Sequence, residues 1–284
     1  MINNLIGIMQ GRFTAPKGRK KIQFFPSGGG EIPNEFYKAK ELNLDYVEWI
    51  VTSNINNPLM GDFYSCEGIR YITKDSKIPI NAICLDYLMD MDLTNDEDLI
   101  VAKNSLTWIA NMANRIGCKL LIIPIYEKSM DFPTIKSLIS SVIEDYRVKI
   151  AFEFLDVNSF TGINFISDLT YQNRASFRHS LNNYGIGCCF DIGNNCGRDI
   201  IKELDNYYIH DMLFHIHIKE KDNNGNTIPL GMGVIGREGW KDIFTFLRRV
   251  NYLGNFTLQV ARGEEGKEKE TIKKQLEFVK GLMW

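Results

Sequence analysis

The sequence predicts an α/β chain folded as one (β/α)8 TIM barrel, a single domain over residues 1–284. Three observations carry this. Eight short apolar segments lie along the chain, and each is followed by a segment of helical spacing. Several, such as Leu120 to Ile125, are apolar throughout, as strands are when both faces of a parallel sheet are buried. The length, 284 residues, suits eight such units. An open doubly wound sheet is the alternative arrangement of the same elements.

The first strand is Ile6 to Met9, closing on Gln10, Gly11 and Arg12. Residues 13–32 hold Pro16, Pro26 and three consecutive glycines, and read as a long loop. A helix from Pro33 to Leu42 starts where a proline loses nothing by lacking its N–H. Strand two, Tyr46 to Val51, carries Glu48, and a helix near Ser65 to Lys74 follows. Strand three runs from Ile78 to Met89, its polar end near Asp86. The amphipathic helix Asp98 to Ile116 stops at Gly117, a favoured cap. Strand four, Leu120 to Ile125, precedes a helix from Thr134 to Tyr146. Strand five is Val148 to Leu155, with a mostly helical segment at 165–184. Strand six is Ile186 to Ile192, with a helix from Asp199 to Tyr208. Strand seven is Leu213 to Ile218, with a helix from Gly239 to Val250. Strand eight is Phe256 to Val260, with a closing helix from Glu268 to Met283.

Composition excludes several classes. Net charge is −2 with acids and bases mixed, so there is no electrostatic footprint for nucleic acid. No apolar run approaches the ~18 residues of a membrane helix, and the N-terminus lacks a signal-peptide pattern. The six cysteines form no C-x-x-C pair and read as small buried hydrophobes of a reducing cytoplasm. Whether the chain forms a homo-oligomer stays open.

Chemistry gathers at the polar ends of the strands, where a barrel places its active site. Glu153, Asp191, His217 and Gln259 end four of them. Two carboxylates, an imidazole and an amide oxygen form a set for one divalent ion. Charges buried under an apolar barrel are costly unless paired or bound to a cation. Each residue also has a plain reading: a structural ion pair for Glu153, a turn for Asp191, a core histidine for His217. His215 and His217 sit two apart in a strand and share one face. Gln10, Arg12, Glu48, Asp86, Asn194, Lys219, Lys221 and Arg262 fall at the same ends. The run 231-GMGVIG-236 reads either as a flexible loop or as a phosphate cradle after strand seven.

The segments 6-IGIMQGR-12, 22-IQFFP-26, 45-DYVEWI-50, 191-DIGN-194, 215-HIHIKEK-221, 229-PLGMG-233 and 258-LQVAR-262 resemble the xylose isomerase-like TIM-barrel superfamily of sugar (phosphate) isomerases and epimerases. The resemblance runs nearly end to end. It implies one Mn²⁺, Mg²⁺, Co²⁺ or Zn²⁺ ion on Glu153, Asp191, His217 and Gln259, and a sugar or sugar phosphate as substrate. The leading reading is proton abstraction next to a carbonyl through an enediolate, with Glu153 as base and Lys219, Lys221 or a bound water returning the proton. Gln10, Arg12, Glu48, Asp86, Asn194, His215, Lys221 and Arg262 would contact substrate. In ketose 3-epimerases of this superfamily the strand-eight position is a second glutamate. Gln259 cannot act as a base, so a two-glutamate exchange does not carry over. The alternatives are a metal-dependent hydrolase, endonuclease or dehydratase on the same barrel, and a barrel that binds sugar without turnover.

Overall fold

A computed structural model describes residues 4–14, 31–53, 57–61, 63–146, 148–172 and 185–283. The barrel strands are β1 (Ile6–Met9), β2 (Tyr46–Ile50), β3 (Ile80–Cys84), β4 (Leu120–Ile125), β5 (Lys149–Phe154), β6 (Ile186–Asp191), β7 (Leu213–Ile218) and β10 (Asn255–Leu258). All pair in parallel, in the closed order β1-β10-β7-β6-β5-β4-β3-β2. Two short strands after β7, β8 (Glu220–Lys221) and β9 (Thr227–Ile228), form an antiparallel hairpin outside the barrel.

The described helices are α1 (Glu31–Glu41), α2 (Phe63–Ser76), α3 (Asp96–Ile116), α4 (Phe132–Tyr146), α5 (Ser159–Gln172), α6 (Ile200–Ile209), α7 (Gly236–Arg249) and α8 (Glu268–Met283). They face the barrel through apolar stripes, such as Ala102, Leu106, Ile109 and Ala113 of α3. The Asn95 side chain accepts the N–H groups of Glu97 and Asp98 at the start of α3, and three acids occupy its first turn. Asp199 caps α6 by accepting the N–H of Lys202.

The doubly wound alternative is excluded, because β1 pairs with β10 and closes the sheet. Strand three is shorter than the apolar run implied. The chain leaves the sheet after Cys84, and Asp86–Asp90 forms a single 3₁₀ turn. The segment 22-IQFFP-26, most of the 13–32 loop and the far end of the 165–184 helix lie outside the described residues. The cysteines are all free, and five of the six are buried. No described helix is long and apolar enough to cross a membrane.

Parallel register sets the depth of each inward side chain. Asp191 pairs with His217, His217 with Thr257, and Met9 with Glu48. Residues two apart in β7 therefore form two storeys, His215 below and His217 above. Lys219 continues the same alternation just past the end of β7.

Candidate active site

Glu153 ends β5, Asp191 ends β6 and His217 lies near the end of β7. Each offers one ligand atom, and the three atoms lie within 4.8 Å of one another. All three residues are buried, and His217 is wholly so. Asp191 Oδ2 faces the Lys219 ammonium, and His217 Nδ1 lies 3.5 Å from Glu153 Oε2. Two carboxylates and an imidazole whose ligand atoms converge this closely form a donor set that fits a divalent cation. Burial alone would raise the Asp191 pKa, but Lys219 and then His217 outweigh it and hold the carboxyl below its ordinary value.

The fourth expected ligand is placed differently. Gln259 Oε1 accepts a 2.8 Å hydrogen bond from Lys219 Nζ, and its Nε2 lies 3.5 Å from Met9 Sδ. The same ammonium stands 2.5 Å from Asp191 Oδ2. The amide oxygen of Gln259 is therefore shared with a lysine.

Beneath the triad lies a buried polar storey. Glu48 Oε1 is 3.0 Å from His217 Nε2, and Glu48 Oε2 is 3.0 Å from His215 Nε2. Thr257 Oγ1 donates to Glu48 Oε2 at 2.7 Å, and the Tyr46 hydroxyl donates to the Phe256 carbonyl at 2.7 Å. Burial opposes the charged form of Glu48, yet His217 and His215 outweigh it and keep its pKa below the usual carboxylate range. Burial lowers the pKa of His215, with Glu48 opposing. Burial also pulls down on His217, but Cys189, Glu48 and Glu153 together leave it above its ordinary value. A second group, Cys189, His215 and His217, spans the two storeys, with all three side chains buried.

Above the triad opens a cavity of about 550 Å³, ample for a monosaccharide. Its wall includes Glu153, Asn194, Lys219, Lys221 and Gln259, with Asp86 and Asp90 across from the lysines' strand. Asn194 links three parts of the site. Its amide donates to Glu153 Oε1 at 3.2 Å, its oxygen accepts from Lys221 Nζ at 2.8 Å, and its backbone N–H donates to Asp191 Oδ1 at 2.9 Å. Burial and then the neighbouring Lys219 charge lower the pKa of Lys221.

The structure thus divides the expected substrate contacts. Asp86, Asn194 and Lys221 line the cavity. Glu48 and His215 do not; they are buried one storey down, because their register positions precede the strand ends by a full pleat. Gln10, Arg12 and Arg262 also lie off the cavity wall. Gln10 Oε1 accepts from the Ile50 N–H, and Arg262 Nε donates to the Gly11 carbonyl. Arg12 packs its guanidinium 3.7 Å from Met9 Sδ. Burial and then Arg262 hold the Arg12 pKa well below its ordinary value. Nearby, Glu35 of α1 accepts the Gly11 N–H and the Thr14 hydroxyl, and burial pushes its pKa up to about 7.

The glycine run after β9 proves to be an anion cradle with a resident anion. The buried carboxylate of Glu220 accepts the N–H groups of Gly231, Gly233 at 2.9 Å and Gly236 at 2.9 Å, and the Trp240 indole N–H at 2.8 Å. A Cβ on Gly233 would sit 2.6 Å from Glu220 Cγ and 2.4 Å from the Lys221 carbonyl, so only glycine fits. The phosphate-cradle reading is corrected accordingly, and a protein carboxylate occupies the nest. Neither Glu220 nor the hairpin was visible in the sequence. The only signal was a charged residue between two lysines beside a glycine-rich loop.

Residues 36–282 match the family described as xylose isomerase-like TIM barrel. The chain belongs to that family. Solved structures that resemble it include the 3-keto-D-glucoside 4-epimerase of E. coli, at 16% identity and TM-score 0.68, covering 97% of this chain and 98% of that one. The D-allulose 3-epimerase of a Methylomonas species has 14% identity and TM-score 0.70, covering 98% of each chain. The D-psicose 3-epimerase of Clostridium cellulolyticum H10 has 13% identity and TM-score 0.69, covering 98% of this chain and 99% of that one. At such identities the likeness establishes a shared fold. No curated protein matches the chain in sequence.

Proposed function

We propose that this chain is a divalent-metal-dependent sugar, or sugar phosphate, isomerase or epimerase. The convergence of Glu153, Asp191 and His217, with Glu153 on the wall of a sugar-sized cavity, carries the reading. Family membership supports it, as does the fold shared with three sugar epimerases.

Glu153, Asp191 and His217 would hold the ion, with Glu48 orienting His217 from behind as a carboxylate partner. When bound, the ion supplies Lewis-acid polarisation of a carbonyl and its neighbouring hydroxyl. Glu153 stands on the cavity wall as the base that removes the proton next to that carbonyl. The Lys219 ammonium faces the same space and can stabilise the enediolate charge and return a proton. Asn194 fixes Glu153 against Lys221, so base and second ammonium keep their spacing. With Gln259 just past the end of β10, one carboxylate base serves the reaction, which favours proton transfer by Glu153 and Lys219 over exchange between two glutamates.

The test is turnover of a panel of ketoses and their phosphates with added Mn²⁺, comparing the chain with its Glu153→Gln variant. We expect at least one substrate to be turned over and the variant to lose roughly 100-fold or more. Equal turnover by the variant would remove Glu153 from the reaction. Gln259 also favours a second reading, a barrel that binds sugar without turnover, and sugar binding with no turnover on the whole panel would select it.

A further inference from the structure

We propose that Lys219 is a built-in cation that competes with the divalent ion for Asp191 and Gln259, and so sets how tightly this chain holds its metal. The inference rests on the metal reading above and concerns the residue which that reading leaves closest to the ligands. Two of the four expected ligands touch one ammonium. Lys219 Nζ lies 2.5 Å from Asp191 Oδ2 and 2.8 Å from Gln259 Oε1.

The lysine is seated rather than draped there. It is 5% exposed, and its stem runs against Gly193 of the Asp-Ile-Gly-Asn turn. A Cβ at position 193 would lie 2.8 Å from Lys219 Cγ, 3.0 Å from its Cβ and 2.9 Å from its carbonyl oxygen. Any side chain at 193 would therefore push the lysine out of place. The turn that presents Asp191 is the turn that makes room for its competitor.

Charge makes the competition matter. The triad brings two carboxylates and one imidazole. A glutamate in place of Gln259 would leave two carboxylates over after pairing one with Lys219. With Gln259, pairing Asp191 to Lys219 leaves Glu153 alone. Oxygen sites for hard divalent cations weaken as ligand charge falls. A cation entering this site must also displace an ammonium from a buried carboxylate, where the attraction is little screened.

The test is calorimetric titration of Mn²⁺ into chelator-stripped protein, comparing the chain with Lys219→Met. We expect the variant to bind Mn²⁺ at least about tenfold more tightly, the smallest change a buried like charge at this distance should give. Equal or weaker binding by the variant overturns the competition alone. Mn²⁺ binding by neither protein overturns the metal reading as well. A second measurement needs no variant. Acetylation of Lys219 by acetic anhydride, read by peptide mass spectrometry, should quicken several-fold when Mn²⁺ frees the amine from Asp191. Unchanged or slower labelling, in protein shown to bind Mn²⁺, overturns the proposal.

Discussion

Replacing Glu220 with glutamine tests how the hairpin that carries Lys221 is held. The carboxylate accepts four hydrogen bonds, two on each oxygen: Gly233 and Gly236 on Oε1, Gly231 and Trp240 on Oε2. The amide of Glu220→Gln keeps one oxygen and turns an NH₂ toward the other pair of donors. Two buried N–H groups then lose their partner, at ~1–3 kcal/mol each, or roughly 2–6 kcal/mol together. For a chain of this size ~1 kcal/mol shifts the thermal midpoint by about 2–4 °C, so the fall should be roughly 5–20 °C. The lower end applies if the 231–236 loop opens locally rather than with the whole barrel. Thermal melting reads the first effect. Hydrogen exchange at the Gly233 and Gly236 amides and the Trp240 indole reads the second. Because Val234 N–H donates to the Lys221 carbonyl, an opened loop should also release Lys221 from Asn194 and lower turnover. A midpoint within about 2 °C of wild type, with unchanged protection, would refute the cradle as a stabilising device.

Two further outcomes follow from the buried acids. Glu48→Gln keeps the size of the side chain but removes the charge facing His217 Nε2, so Mn²⁺ affinity should fall about 10–100-fold by calorimetry while the fold survives; unchanged affinity would mean that His217 needs no carboxylate behind it. Glu35 has its pKa raised by burial to about 7, so the folded chain holds a proton that the unfolded chain has released. That contribution is fully present below the unfolded value of ~4.3 and is lost as pH rises through about 7, amounting to up to about 4 kcal/mol. Thermal midpoints of wild type should therefore drop more steeply between pH 5 and 8 than those of Glu35→Gln, and parallel curves would contradict the assignment.

The sequence was most legible where strand periodicity and chemistry coincide. Glu153, Asp191 and His217 each interrupt an apolar run at its C-terminal end, and a closed parallel sheet must bring such ends to one mouth. The spacing of His215 and His217 showed a shared face. It did not show depth, because register between strands far apart in the chain decides which of the two joins Glu153 and Asp191. For the same reason Glu48 read as a wall residue and is a buried partner of both histidines. The link from Lys219 to Asp191 and Gln259 follows from a lysine one pleat beyond His217, a step that periodicity allows but does not aim. The hairpin escaped notice because its strands are two residues each and carry no β-branched pattern beyond Thr227 and Ile228.

Solvent exchange at the substrate carbon tests the central claim most directly. With Mn²⁺ in heavy water, the chain should wash deuterium into the carbon next to the carbonyl of its ketose, followed by proton NMR, and Glu153→Gln should leave that carbon protonated. Exchange that persists undiminished in Glu153→Gln, or a ketose converted by wild type with no deuterium gained, would contradict a reaction run through that carboxylate.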